Sequence, residues 1–398
     1  MNSTTSAPPS RPIPSAEPSG RRDFLKLAGL VAAGAGIGGL GYAGGLAAAR
    51  MPFGIKVSSF AKPKISYDRI LRVTVGLRPH RASGYVLRSE PLDRKTLIHN
   101  YGHGGSGWSL SWGTGHLAAD EVAKTTEKKI AVVGSGVVGL ATARLLQRRG
   151  YEVTIYTKSI PPYVTSNFAT AVWSPTATLV DEGKFTPAFK VQFSEAARIS
   201  HRYFQDFIGN PRYGVEYHTN YRARDVPTAP FEPDYIGSDI SDLIGESADL
   251  PEGATPFKFK HVHRNYGLRF QVPQYLAAQV EDFETFGGKF VIREFKRAED
   301  FDALPEKVVV NCMGLGTKGV FKDDELMPIR GQLTHLVPQP ELNYRFSGEG
   351  ISFNPRADAL SCGGSTIPDI WDTTPDKKET TRVIDGLMEL VEKRFNLT

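Results

Sequence analysis

The pattern of apolar and polar positions is strand-like in three successive stretches near the start of the patterned region, 69–79 (RILRVTVGLRP), where Val73, Val75 and Leu77 alternate, 84–90 (GYVLRSE) and 95–102 (KTLIHNYG). A period of two marks strands with one face in a core. A glycine-rich loop follows. Residues 108–122 then take helical spacing, with Gly113 and Gly115 costing helix propensity but allowing close packing. Residues 124–128 form a short polar linker. Ile130, Ala131, Val132 and Val133 are apolar without alternation, as in a strand buried on both faces. Leu140, Ala143 and Leu146 share one face of a helix, and 152–156 reads as a second strand. Residues 129–156 are therefore one βαβ unit. Further on, the pattern predicts helices over 189–208 and 273–288 and a last one over 377–395. It predicts strands at KFVIREF (289–295), EKVVVNCMG (306–314), GQLTHLVP (331–338), GISFN (350–354) and ALSCGG (359–364). The acidic, aperiodic stretch 234–254 reads as a surface loop.

Composition adds a leader and removes some classes of function. Residues 1–20 are rich in Ser and Pro and match disordered chain. Arg21-Arg22 followed by Phe24-Leu25-Lys26 matches a twin-arginine export signal. Leu27 to Ala49 carries no charge but eight glycines, and Ala47-Ala48-Ala49 offers small residues to a signal peptidase. Residues 1–49 are thus expected to be a disordered n-region plus a twin-arginine signal. The alternative is an uncleaved anchor, since 23 residues can cross a bilayer. The expected location is periplasmic or extracellular, with the twin-arginine translocase a partner during export. The full chain has 48 Lys+Arg against 43 Asp+Glu. The first 49 residues hold four of the basic and two of the acidic groups, which leaves 44 against 41. So balanced a surface argues against a nucleic-acid binder. Cys312 and Cys362 are the only cysteines, and both lie in apolar strand runs, so buried thiols are expected. His99 and His103 have no further ligand at metal spacing and read as hydrogen-bonding core residues, so no metal is expected.

Gly134-Ser135-Gly136-Val137-Val138-Gly139 has GxGxxG spacing between the strand and the helix of the βαβ unit. In that context the glycines let backbone approach a pyrophosphate at the helix N-terminus, where N–H groups are unpaired. The acidic residue expected for the ribose is absent; Thr157 and Lys158 stand there, and Lys158 either favours an extra phosphate or is solvated.

Two stretches carry a family resemblance. HNYGHGGSGWSLSWG (99–113) and KIAVVGSGVVGLATARLLQRRG (129–150) resemble the flavin-binding pieces of the D-amino-acid oxidase family. In that family the second stretch opens the protein and the first nearly closes it. The order here is reversed, which reads as a circular permutation. The resemblance runs from about residue 65 to the C-terminus and is faint between 180 and 265. It implies an α/β fold: a Rossmann-like FAD-binding domain interleaved with a substrate domain on a mixed, largely antiparallel sheet. The single unit 65–398 would then hold FAD-binding parts at about 95–180 and 290–335, and substrate-domain parts at about 65–95, 181–289 and 336–376. Thr398 would lie near residues 60–68, where the unpermuted chain would run straight through.

The resemblance also implies roles. Gly104, Gly107, Trp108 and Ser109 would line the flavin, with Gly105 touching substrate as well. Gly134, Ser135, Gly136, Val137, Val138 and Gly139 would cradle the pyrophosphate. Thr165, Ser166, Ala171 and Val172 would contact the cofactor from a second loop that ends at Ser174, beside the substrate. Phe295 takes the family's adenine-packing position, and Gly314 lies near the adenosine half. Val75-Gly76-Leu77-Arg78-Pro79 resembles the segment whose arginine grips the substrate carboxylate, and a guanidinium does so by two parallel hydrogen bonds. GISFNPR (350–356) matches the segment that carries two active-site tyrosines in vertebrate members. Ser352 and Arg356 replace them, so Arg356 is either a second substrate-binding charge or a solvated strand-end residue. The implied function is an FAD-dependent oxidase of a D-amino acid or related amine. Hydride would pass from Cα to flavin N5, and oxygen would reoxidise the flavin. A helix N-terminus at the flavin pyrimidine would raise its reduction potential. The rivals are a same-fold dehydrogenase that serves an electron carrier or quinone, and an inactive flavin-binding protein.

Overall fold

The computed structural model describes residues 60–226 and 238–397. The expected leader, Thr398 and part of the acidic stretch lie outside the described residues. In chain order the elements are β1 (Ile70–His80), β2 (Val86–Leu92), β3 (Lys95–Tyr101), α1 (Gly107–Ala123), β4 (Lys129–Val133), α2 (Val137–Arg148), β5 (Glu152–Thr157), α3 (Pro187–Gln205), β6 (Val215–Arg224), β7 (Ser247–Leu250), β8 (His261–Phe270), α4 (Val272–Thr285), β9 (Lys289–Ile292), β10 (Val308–Asn311), α5 (Gly316–Phe321), β11 (Met327–Leu336), β12 (Tyr344–Gly348), β13 (Ile351–Pro355), β14 (Leu360–Gly363), β15 (Ile367–Pro368) and α6 (Lys377–Arg394).

The strands form two mixed sheets. One has the order β2-β3-β10-β4-β5-β9 and is parallel except for β2. Its central strands, β4 and β10, are apolar runs buried on both faces. One face packs under α1, α2 and α4, with Ile98, Ile130, Val132, Leu140, Leu276 and Phe283 in one core. The opposite face holds Leu97, Ala131, Val309, Phe301 and Val320. The second sheet runs β1-β11-β14-β13-β12-β6-β8-β7, with β15 paired to β11. It is antiparallel except for the β12–β6 pair. One face of it packs against α6 through Phe346, Phe353, Val383, Ile384 and Leu387.

Three findings differ from the sequence reading. The 234–254 stretch, where described, contains a 3-10 turn (Ser238–Leu243) and the edge strand β7. An edge strand bonded on one side needs no apolar alternation, which is why SADL gave no signal. Strands β6, β8, β12 and β15 were not anticipated; in β6 and β8 polar and charged residues are scattered among the apolar ones. The sheets also cut the chain differently from the expected partition. Strand β2 joins the parallel sheet rather than the substrate part, and β11 joins the antiparallel sheet although the FAD-binding part was expected to reach 335.

The two ends of the described chain meet. The ring of Phe60 lies 5.2 Å from that of Phe257, and Phe395 lies 4.8 Å from the same ring. Leu397 packs on that core as well.

Candidate active site

Strand order in the parallel sheet reverses between β4 and β10, and loops at the carboxyl ends of such strands diverge there to leave a crevice. Residues 134–136 after β4, 312–314 after β10 and 102–106 after β3 all line that crevice. Its far wall is the antiparallel sheet, through Gly76, Leu77, Arg78, Gly331, Leu333 and Arg345. The cleft encloses about 680 Å³, within the range of cofactor sites.

Backbone forms much of the dinucleotide end. Gly134 has φ of 110°, and a Cβ there would overlap the Cys312 carbonyl oxygen. Gly136 precedes α2, whose first turn opens on the cleft. The Ser166 hydroxyl accepts the Val137 N–H at 3.0 Å, and the Ser166 carbonyl accepts the Trp108 indole N–H at 3.1 Å. One residue thus ties the loop of Thr165 and Ser166 to the starts of both helices. Gly104, with φ of 55°, lies so close to the Thr178 carbonyl that a Cβ would overlap it. Only glycine combines that conformation with that approach. Its neighbour Gly105 lines the cleft, with its N–H held by the Thr178 hydroxyl and the Ala177 carbonyl.

The cleft wall also contains Ser135, Val137, Val138, Gly107, Trp108, Ala171, Val172, Ser174, Phe295 and Gly314. Three expected site residues are absent from it. The Ser109 side chain is buried behind the wall, where its hydroxyl accepts the Ser174 N–H at 2.8 Å. Gly139 packs so closely on the Gly134 carbonyl that a Cβ would overlap it, so it joins helix to strand. Arg356 is buried, but its guanidinium is saturated: Nε and Nη2 donate to Asp358 at 2.8 and 2.7 Å, and Nη1 donates to the Ala169 carbonyl. It is neither solvated nor free for substrate. His99 and His103 are buried and hydrogen-bonded, His99 to Asn311 and Glu90 and His103 to Thr114. Burial pushes His103 down to about 3, so its ring is neutral. Both cysteines are buried free thiols, and burial raises Cys312 to about 12.

Sequence reasoning missed three charged residues of the wall; Arg293, just beyond β9, is one, and it donates to the Asp300 carbonyl. Glu294, just beyond β9, lines the cleft beside Lys158 and bonds its Nζ at 2.8 Å. A carboxylate therefore stands beside Lys158 after all, just beyond the neighbouring strand rather than at the end of β5. Arg345, on β12, is the third. The segment YRFSG alternates aromatic and polar residues, and that period of two was its available signal.

Arg78 stands apart in its bonding. It reaches across β11, where a Cβ on Gly331 would lie 2.6 Å from its Nη1. That Nη1 is buried without a hydrogen-bond partner, and burial lowers the pKa of the guanidinium. Among the described residues no carboxylate pairs with it.

Residues 129–397 match the family described as FAD dependent oxidoreductase. The chain belongs to that family. The match begins at β4, so β1 to β3 and α1 lie ahead of it, although they contribute Arg78, Gly104, Gly105 and Trp108 to the cleft. The chain is 27% identical over 271 residues to a D-amino acid oxidase of Dugesia ryukyuensis, covering 65% of this chain and 76% of that protein. It is 28% identical over 258 residues to a D-amino-acid oxidase of Rubrobacter xylanophilus, covering 62% and 72%. A glycine oxidase structure from Bacillus cereus is similar with a TM-score of 0.49 and 16% identity, over 68% of this chain and 80% of that one. The chain is accordingly an FAD-dependent oxidoreductase of the D-amino-acid oxidase type.

Proposed function

We propose that this protein binds FAD in the cleft and oxidises D-amino acids whose carboxylate is gripped by Arg78. The observation that carries this reading is Arg78 itself, a half-buried guanidinium whose buried Nη1 has no partner, at the sheet wall of the cleft. An unpaired buried charge is costly, and a bidentate carboxylate is the partner that best removes the cost.

The residues present fit the cofactor. Gly134, Gly136 and the first turn of α2 suit the pyrophosphate, and the Ser166 O–H is left to donate to it once its oxygen has accepted the Val137 N–H. Glu294 suits a ribose hydroxyl and Phe295 the adenine. Gly104 and the first turn of α1, through Gly107 and Trp108, line the cleft where the flavin would lie. FAD, when bound, would supply an acceptor for the substrate's hydride and a route for the two electrons to oxygen, with hydrogen peroxide as the product. Arg78 fixes the carboxylate and with it the direction of the Cα–H bond, so positioning does much of the work. The C–H bond breaks as the amine becomes an imine, and water converts that to the 2-oxo acid and ammonia. Glu294 is the only carboxylate residue on the described cleft wall, and it lies at the adenosine end. The substrate amine therefore loses its proton to water before reaction. An inactive flavin binder would have no use for a guanidinium left without a partner in the cleft wall. The decisive experiment is anaerobic addition of D-amino acids to the purified flavoprotein. Loss of flavin absorbance supports the reading, and full flavin content with no change across a broad panel overturns it. Peroxide formed per turnover separates oxidase from dehydrogenase.

The proposal includes the permuted order and export. The meeting of Phe60 and Phe395 on Phe257, and the start of the family match at β4, support the first. A chain opened in the 124–128 linker, with its present ends joined, should fold and bind flavin; an insoluble product would count against it. Export rests on Arg21-Arg22 and the uncharged segment after it. A mature N-terminus near Arg50 in the exported fraction supports it, and protein retained in the cytoplasm with Met1 intact refutes it.

A further inference from the structure

We infer that His80 is a positioning residue for the oxidation. Clamped between Thr178 and Asp181, it holds the Gly104–Gly105 loop at a fixed place relative to Arg78. This rests on the reading of Arg78 above and adds what sets the glycine-rich wall against the substrate carboxylate.

His80 is the last residue of β1, two positions beyond Arg78, and its side chain is buried. Its Nδ1 lies 2.8 Å from the Thr178 carbonyl oxygen, and its Nε2 lies 3.1 Å from a carboxylate oxygen of Asp181. Both partners are acceptors, so the two bonds coexist when each ring nitrogen carries a proton. The Asp181 N–H in turn donates to the Ala82 carbonyl at 2.9 Å, which fixes Asp181 to the chain just beyond β1.

Thr178 is the unusual member of this group. Its φ is 47°, and it is the only β-branched residue with positive φ among the described residues. A side chain branched at Cβ rarely adopts that conformation, and it persists where the surroundings over-determine it. Three contacts do so. The Thr178 carbonyl accepts from His80, and the same carbonyl abuts Gly104, where a Cβ would lie 1.8 Å from its oxygen. The Thr178 hydroxyl accepts the Gly105 N–H at 2.8 Å. From the other side, the Gly104 N–H donates to the Pro79 carbonyl at 2.7 Å. Three consecutive residues at the end of β1 thus act together. Arg78 presents its unpartnered Nη1, Pro79 binds Gly104 directly, and His80 binds it through Thr178. Without His80, Thr178 loses the donor to its carbonyl and is free to relax toward negative φ, which carries its hydroxyl away from Gly105. The loop then shifts relative to Arg78, and transfer of the Cα hydride depends on alignment at that scale.

The test compares the parent flavoprotein with H80A, H80N and D181A. Two readouts are taken: amide hydrogen exchange of residues 102–106, and the rate of flavin reduction by a D-amino acid in anaerobic single turnover. In H80A, exchange over 102–106 should rise at least about tenfold while β4 keeps its parent protection, and reduction should slow by about ten- to a hundredfold. In H80N the side-chain amide can donate to the Thr178 carbonyl, and both readouts should return to within about threefold of the parent. D181A changes a side chain that is 55% exposed, so it tests the clamp even if H80A fails to fold, and its loop exchange should rise at least about threefold. Parent-like exchange in H80A or D181A overturns the inference. So does an H80N enzyme no better than H80A, or exchange that accelerates equally in β4, since either makes His80 a core-filling residue. If the parent flavin is not reduced by any D-amino acid, the functional reading fails, while loop exchange still decides the role of His80.

Discussion

Replacing Arg78 with Met should raise the melting temperature of the substrate-free protein and at the same time remove most of its catalytic efficiency. The two effects share one cause. The guanidinium is half-buried and its buried Nη1 has no acceptor, so the free protein bears a partly desolvated charge with no carboxylate to offset it. Met fills similar volume without the charge, which should stabilise the free protein by about 1–3 kcal/mol. With a section of this size that corresponds to a few degrees in melting temperature. The bound state loses two charge-assisted hydrogen bonds, each worth about 1.5–3 kcal/mol. A total of about 3–5 kcal/mol lowers kcat/KM by about two to three and a half orders of magnitude. Thermal melting of the flavin-loaded protein and initial-rate peroxide assays measure both. Arg78→Lys keeps the charge but not the planar fork, so its efficiency should fall between parent and Met. A Met variant that melts lower than the parent and keeps kcat/KM within threefold would show that Arg78 is a structural residue, and the reasoning would fail.

Other consequences follow from the same geometry. Gly331→Ala places a methyl 2.6 Å from the Arg78 Nη1, so the side chain must swing away; KM should rise by about tenfold with flavin content unchanged. An unaltered KM would show that the arginine has room to spare. Arg356→Leu leaves Asp358 with only Arg72 and should cost about 2–4 kcal/mol of stability, while kcat/KM of the folded fraction stays at the parent value; a selective loss of substrate binding would restore a substrate role to Arg356. His103, His218 and His335 are each held near 3, chiefly by burial, against about 6.5 in the unfolded chain. Between those values the unfolded state binds more protons, so stability is complete above about pH 6.5 and falls as pH drops toward 3. The loss approaches about 1.4 kcal/mol per histidine per pH unit. Denaturant midpoints that do not move between pH 7 and 5 would contradict that burial. Finally, kcat/KM should rise with pH as the substrate ammonium deprotonates, because Glu294 is the sole carboxylate among the described residues of the cleft wall; a bell-shaped profile with an acidic limb in the enzyme's own carboxylate range would show a base that those residues do not supply.

Local chemistry was readable from the chain. The run from Ile130 to Val133, the glycines after it and the spacing of Leu140, Ala143 and Leu146 specify a strand, a tight turn and a helix from residues that are near neighbours. Gly104 and Gly105 were legible for the same reason, since a close backbone approach demands glycine wherever it occurs. Arg78 was legible through the segment around it. What the chain left open were the pairings made across hundreds of residues. Arg356 and Arg345 are both arginines next to strand positions, and no local pattern separates them. Asp358 saturates the first, while the alternation of β12 against α6 leaves the second without an acceptor in the cleft. Glu294 is likewise an ordinary exposed acid until β9 docks beside β5 and brings it to Lys158. Burial and partner choice are properties of the assembled sheets, because a charge is costly or cheap only according to what surrounds it, and those surroundings come from strands that the sequence places far apart.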